Sequence, residues 1–202
     1  MSAHPRLLVG MSGASGAIYG VRLLEILRRL PIESHLVMIP AAALTLAHET
    51  DHKVADVCEL ADAHYSNRAI DAAPASGSFE TTGMIVAPCS IRALSAIATG
   101  VTNDLLTRAA DVVLKQRRRL VLLVRETPLH AGHLRSMATV TEIGAIVAPP
   151  VPAFYTRPQT IDDIVDHTVG RLLDLFGFEA GHVKRWSGPA ASASVRPMPR
   201  RR

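Results

Sequence analysis

The chain has 202 residues, 48% of them hydrophobic and 20% charged, the composition of one globular domain with a sizeable core. No apolar run reaches the roughly 18 residues that span a bilayer, and residues 1–6 carry no signal-peptide pattern, so a cytoplasmic protein with no membrane partner is expected. The formal charge of +4 does not point to nucleic acid: Arg196, Arg200, Arg201 and Arg202 supply the excess, and 4% aromatic residues leave little to stack on bases.

Residues 7–10 read as a short buried strand, followed by a glycine-bearing loop and apolar residues at helical spacing over 17–30. Strand 35–39 and helix 41–49 follow, then strand 84–87 and helices 91–98 and 105–115. Strand 120–124, helix 134–141, strand 145–147 and helix 161–176 complete the pattern, the last after a loop holding Pro149, Pro150, Pro152 and Pro158. Near-continuous aliphatic strands separated by helices imply both sheet faces are covered. The predicted fold is therefore α/β, a doubly wound, Rossmann-like parallel sheet in a single domain. Residues 187–202, rich in Ser, Ala, Pro and Arg, are expected to form a basic disordered tail.

Such sheets bind ligands beyond the carboxyl ends of their strands. The first candidate there is Gly10-Met11-Ser12-Gly13-Ala14-Ser15-Gly16, whose small residues let backbone amides approach a phosphate at a helix start. Its spacing is not G-x-G-x-x-G and it lacks lysine, so neither a dinucleotide fold nor a P-loop is indicated; a tight structural turn reads equally well. Ala75-Ser76-Gly77-Ser78 and Pro88-Cys89-Ser90 offer hydroxyls and amides at the same edge, or simply turns. Arg108 and Lys115 lie two helical turns apart on one face, with Asp111 between them and Arg125-Glu126 after the fourth strand. Together they suggest an anion clamp, whereas consecutive Arg117, Arg118 and Arg119 are expected to face solvent. Cys58 and Cys89 have no metal-type spacing and read as buried thiols. His48-Glu49-Thr50-Asp51-His52 matches H-E-x-x-H, but at the end of a short helix and without a third histidine, so no metal is expected. His130 and His133 read as solvent-facing or capping residues.

These motifs, in order with Ser12 to Ala17, Ala87 to Ser90, Arg108 to Lys115, Arg125 to Leu129, His133-Leu134 with Met137, and Pro152 to Tyr155, resemble the UbiX-type flavin prenyltransferase family over residues 6–186. The resemblance implies a flavoprotein domain over 1–186 that transfers a dimethylallyl group from dimethylallyl monophosphate to N5 and C6 of reduced FMN. It implies FMN contacts at Gly13, Ala14, Ser15, Ser90, Ile91, Arg92, Ala93 and Arg125. Substrate phosphate would meet Arg108, Lys115, Arg125, Tyr155 and Arg171, partly across a subunit interface of a homododecamer. Ser15 and Glu49 would handle the departing phosphate and its proton, and Glu126 the closure of the new ring. The product would serve a UbiD-type aromatic-acid decarboxylase. Glu33 to Met38, Ser78-Phe79 and Arg185-Trp186 are most similar to the family members that accompany hydroxyarylic-acid decarboxylases as their flavoprotein subunits. Ile39, Pro40, Ile70, Ala93 and Val124 depart from the family pattern, so weaker flavin binding, or a non-catalytic FMN-binding accessory subunit, stays open as the alternative.

Overall fold

The aliphatic runs become strands because helices close over both faces of the sheet they form. The computed structural model describes residues 4–181, 183 and 185; Trp186 and the tail expected over 187–202 lie outside the described residues. Strands β1 (Arg6–Met11), β2 (Glu33–Met38), β3 (Ala63–Ser66), β4 (Gly83–Cys89), β5 (Arg119–Val124) and β6 (Ile146–Val147) pair in parallel in the order 3-2-1-4-5-6. The chain winds outward from β1 to β3, then crosses back to lay β4 on the other side of β1. That reversal is the switch point where the loops after β1 and β4 part and leave a crevice.

All five expected strands are present. The sixth, β3, has no sequence signal, because Ala63-His64-Tyr65-Ser66 alternates half-buried and exposed positions at the sheet edge and presents no aliphatic run. Helices α1 (Ala17–Leu27), α2 (Pro40–Glu49), α3 (Val54–Cys58), α4 (Ile91–Thr99), α5 (Leu105–Lys115), α6 (Ala131–Glu142) and α7 (Ile161–Asp174) cover the faces. The short α3 is likewise an addition to the expected elements. Helix α1 ends three residues before the predicted Leu30: Arg29 and Leu30 donate to carbonyls only three residues back, tightening the last turn before Pro31. Helix α7 also closes early, through bonds from Phe176 to Leu173 and from Gly177 to Asp174.

Leu7, Leu8, Met84 and Ile85 of the central strands have no more than 2% of their surface exposed, so the sheet centre is the core. Helix α7 starts in a capping box between Thr160 and Asp163. It is keyed to α1 by Arg22, which reaches Asp166 at 2.6 Å and Asp162 at 3.3 Å.

In the arginine run at the start of β5, Arg117 and Arg119 are exposed as expected, while Arg118 is half-buried; two of the three nonetheless reach backbone carbonyls. Arg118 donates to the carbonyls of Phe79 (2.6 Å) and Gly77 (3.0 Å), while Arg119 bonds the Leu175 carbonyl and lies 5.6 Å from the Phe176 ring centre. These guanidiniums satisfy loop carbonyls that would otherwise lack partners, and they carry apolar stems suited to cover a surface. The same contacts show where Ser76-Gly77-Ser78 lies. It precedes β4, beside the C-terminal end of α5 where Gln116 packs on Gly77, at the amino edge of the sheet. A segment joining the end of β3 to the start of β4 must cross from one edge to the other, so this loop does not join the Ser12 loop.

Gly83 opens β4 at a φ of 146°, and a Cβ there would lie 2.1 Å from the Arg119 carbonyl oxygen of the neighbouring strand. Strand β4 can therefore sit against β5 only with glycine at this point. Gly83→Ala is expected to cost roughly 2–4 kcal/mol and to lower the melting temperature by about 5–10 °C. A thermal melt within a degree of wild type would contradict this account.

Candidate functional site

At the carboxyl edge, the loop after β1 and the loop after β4 are fastened by one hydroxyl. Ser12, 1% exposed, donates from Oγ to the Pro88 carbonyl at 2.8 Å and accepts the Ser90 amide at 2.7 Å. Its own amide also reaches the Pro88 carbonyl, at 3.1 Å. Ser90 in turn caps α4 by accepting the Ala93 amide at 3.3 Å. Gly13 lies so close to α2 that a Cβ would come within 2.5 Å of the Ala41 Cβ. The loop thus runs flat against the start of α2, leaving Ala14 and Ser15 at the crevice.

Helix α1 has no capping side chain of its own, since its N-cap is Gly16 in the left-handed region. Glu49, at the far end of α2, caps it instead, with Oε2 accepting the Gly16 amide at 2.8 Å and the Ala17 amide at 3.0 Å. Two of the amides that the sequence offered to a phosphate are therefore held by a carboxylate, the anion favoured at a helix N-terminus. The Ser15 hydroxyl and the Arg125 guanidinium also favour the charged form of Glu49. Partial burial pushes the Glu49 carboxyl upward, but the Ser15 hydroxyl, the two amides and Arg125 outweigh it and hold it below its ordinary value. Tyr19, one turn into α1, borders the same group: burial raises its phenol and Arg125 pulls it back.

Arg125 is set by its backbone, whose amide donates to the Cys89 carbonyl at 3.1 Å and so continues the β5–β4 register past the strand end. Cys89 itself is fully buried and its thiol is pushed up to about 12 by burial, which leaves it inert. A cleft opens between the starts of α4 and α5, lined by Ile39, Arg92, Ala93, Leu106 and Thr107 among others. Ile39 and Ala93 are 6% and 5% exposed: these two departures from the family pattern form a packed apolar wall. Arg92 stands exposed in the first turn of α4. Small residues, an apolar wall and a cation at a helix start fit a flat aromatic ring with a phosphate tail.

The remaining candidates lie elsewhere in the chain. Arg108 projects from α5 and pairs with Asp111 at 2.8 Å, while Lys115 stands exposed in the last turn of the same helix. Glu126 is exposed next to Arg125, with Oε1 accepting the Thr127 amide at 3.0 Å. Tyr155 and Arg171 share a separate cleft beside β6 with His167, Leu123 and Ala148. The H-E-x-x-H match does not form a zinc helix: α2 stops at Glu49 and Thr50 is extended, so His52 lies off the helix and cannot share its face with His48. His130 does act as a cap, its Nδ1 accepting the Gly132 amide at 3.0 Å. Nothing in the sequence singles out Tyr19 or His167. Each sits on an amphipathic helix where a ring at helical spacing looks like packing, and only the fold brings Arg125 and Tyr155 to them.

The family model described as Flavoprotein matches residues 1–173. The flavin prenyltransferase UbiX of Escherichia coli strain K12 is 58% identical over 186 residues, spanning 91% of this chain and 98% of that protein. The chain belongs to the UbiX flavin prenyltransferase family. Among solved structures of the family, AnUbiX (PadA1) in complex with FMN and dimethylallyl pyrophosphate superposes with a TM-score of 0.91 at 49% identity, covering 92% of this chain and 98% of that one. The dodecameric FMN-dependent UbiX-like decarboxylase of Escherichia coli O157:H7 gives 0.89 at 48% identity, covering 91% and 100%. The family fold is thus present with the Ser12 and Ser90 loops meeting at its crevice.

The Glu49 cap has a pH signature. Because its folded-state pKa is lowered, the ionised carboxylate stabilises the fold above the unfolded value near pH ~4.3, and that contribution fades as pH falls through the folded value. Glu49→Gln removes the charge and the dependence with it. The melting temperatures of wild type and variant are therefore expected to differ at about pH 7 and to converge towards about pH 3. A constant gap across that range would show that the cap does not depend on ionisation.

Proposed function

We propose that this protein transfers a dimethylallyl group from dimethylallyl monophosphate to N5 and C6 of reduced FMN, and that the prenylated FMN serves a UbiD-type decarboxylase. The observation that carries the reading is the Ser15–Glu49–Arg125 group at the start of α1, in a chain closely similar to one solved with FMN and dimethylallyl pyrophosphate. The 1–186 segment is taken as the catalytic domain and 187–202 as a basic tail. A cytoplasmic setting belongs to the same proposal and suits two unpaired cysteines.

Gly13, Ala14, Ser15, Ser90, Ile91, Arg92, Ala93 and Arg125 are proposed to hold FMN in the crevice between the Ser12 loop and the start of α4. Arg125, with Arg108, Lys115, Tyr155 and Arg171, is proposed to hold the prenyl phosphate. Within one chain Arg108 and Lys115 sit on α5 and Tyr155 and Arg171 in the cleft beside β6, which supports a homododecamer whose sites combine groups from neighbouring copies. Breaking the allylic carbon–oxygen bond places negative charge on the departing phosphate, and the clustered cations meet that charge where water is scarce. Ser15 and Glu49 are proposed to handle the departing phosphate and its proton. Glu126 is the base that accepts the C6 proton displaced as the carbon–carbon bond to C6 forms, after the carbon–nitrogen bond at N5.

Incubation with reduced FMN and dimethylallyl monophosphate under anaerobic conditions should release prenylated FMN, read by mass spectrometry. Glu126→Gln should slow its formation by about 10²–10⁴-fold while FMN binding persists. FMN bound by the wild type without turnover would instead support the accessory-subunit reading.

A further inference from the structure

We propose that His167 is a positioning residue that directs the Tyr155 hydroxyl into the phosphate-binding cleft beside β6; the proposal rests on the reading of Tyr155 and Arg171 given above. Tyr155 sits in a single turn, Phe154–Thr156, closed by the Thr156 hydroxyl on the Ala153 carbonyl at 2.7 Å and by backbone bonds from Thr156 to Ala153 and from Arg157 to Phe154. Half of the tyrosine's surface is open, and so short a turn does not fix where a phenol points. A tether on the rigid part of the fold adds that direction.

Helix α7 supplies that tether. Its capping box sets the helix start, and the Arg22 ion pairs with Asp162 and Asp166 lock it to α1. His167 and Arg171, four residues apart, therefore project on one face into the same cleft. The His167 ring meets the Tyr155 ring edge-on, with centres 5.8 Å apart and planes at 85°, and Nε2 lies 3.3 Å from the tyrosine oxygen. Arg171 is itself held by Asp174 at 2.8 Å, so both polar groups of the cleft are steered from α7.

Burial lowers the His167 pKa, Arg171 lowers it further and Asp174 partly opposes them, so the ring is neutral near neutral pH and carries one N–H. With that proton on Nε2, the imidazole donates to the tyrosine oxygen and the tyrosine proton turns towards the anion. Two donors in series polarise each other. The role needs a neutral donor at that height on the helix, not a charge. Glutamine can meet that need and alanine cannot.

The test compares His167→Ala, His167→Gln, Tyr155→Phe and the Ala/Phe double variant in the prenylation assay, alongside the affinity of each full-length protein for inorganic phosphate by thermal shift. His167→Ala should raise KM for dimethylallyl monophosphate about 3- to 10-fold, the worth of one hydrogen bond, with kcat little changed. His167→Gln should return KM close to wild type, and His167→Ala should add nothing in the Tyr155→Phe background. A wild-type KM in His167→Ala, no rescue by Gln, or full additivity with Tyr155→Phe would overturn the proposal. If the wild type makes no product, the prenylation reading fails. The phosphate affinities then decide the positioning role by the same pattern of loss, rescue and non-additivity.

Discussion

The buried Ser12 hydroxyl is the join on which the site depends. It donates to one loop carbonyl and accepts one loop amide, so the ends of β1 and β4 are bound to each other at the place where the sheet reverses direction. A parallel sheet leaves strand ends to separate loops, and nothing in the ladder fixes one loop against the next. Here a single fully satisfied polar group does so, inside a region of low dielectric where leaving either partner unpaired is costly. Ser90 then starts α4, Arg125 follows from the neighbouring strand end, and the crevice acquires fixed walls.

At that join a carboxylate serves as a helix cap, and at the opposite edge of the sheet a guanidinium serves as a loop brace. Glu49 closes the start of α1 from the end of α2, and Arg118 gathers the carbonyls of the loop before β4. The polar side chains nearest the crevice thus have structural partners as well as proposed chemical roles. The buried group His35 makes the same point at the opposite edge, held between Tyr65 and Glu33 at 2.9 Å each.

Much of the fold is legible in the sequence because periodicity reports burial. Five aliphatic runs correspond to five strands, and the order of strands and helices implies the doubly wound sheet. Strand β3 is not legible, since an edge strand with one covered face carries no such run. The arginines at the start of β5 are legible as mostly solvent-exposed, but consecutive charges hide that Arg118 and Arg119 reach backbone carbonyls. The Ser12 loop is recognisable as a ligand loop, but its helix-start amides are held by Glu49, a residue 33 positions away from Gly16 in sequence. No local pattern encodes that contact. Nor does any encode the separation of Ser76-Gly77-Ser78 from Ser12, which follows from which edge of the sheet a connection ends on.

The Glu49 cap ties two quantities that are usually independent. A carboxylate that takes up or gives away a proton during a reaction changes its hold on the amides it caps, so each protonation event at Glu49 also loosens or tightens the first turn of α1. That turn carries Ala17 and leads to Tyr19 beside Arg125. The charge on Glu49 and the firmness of that helix end therefore rise and fall together.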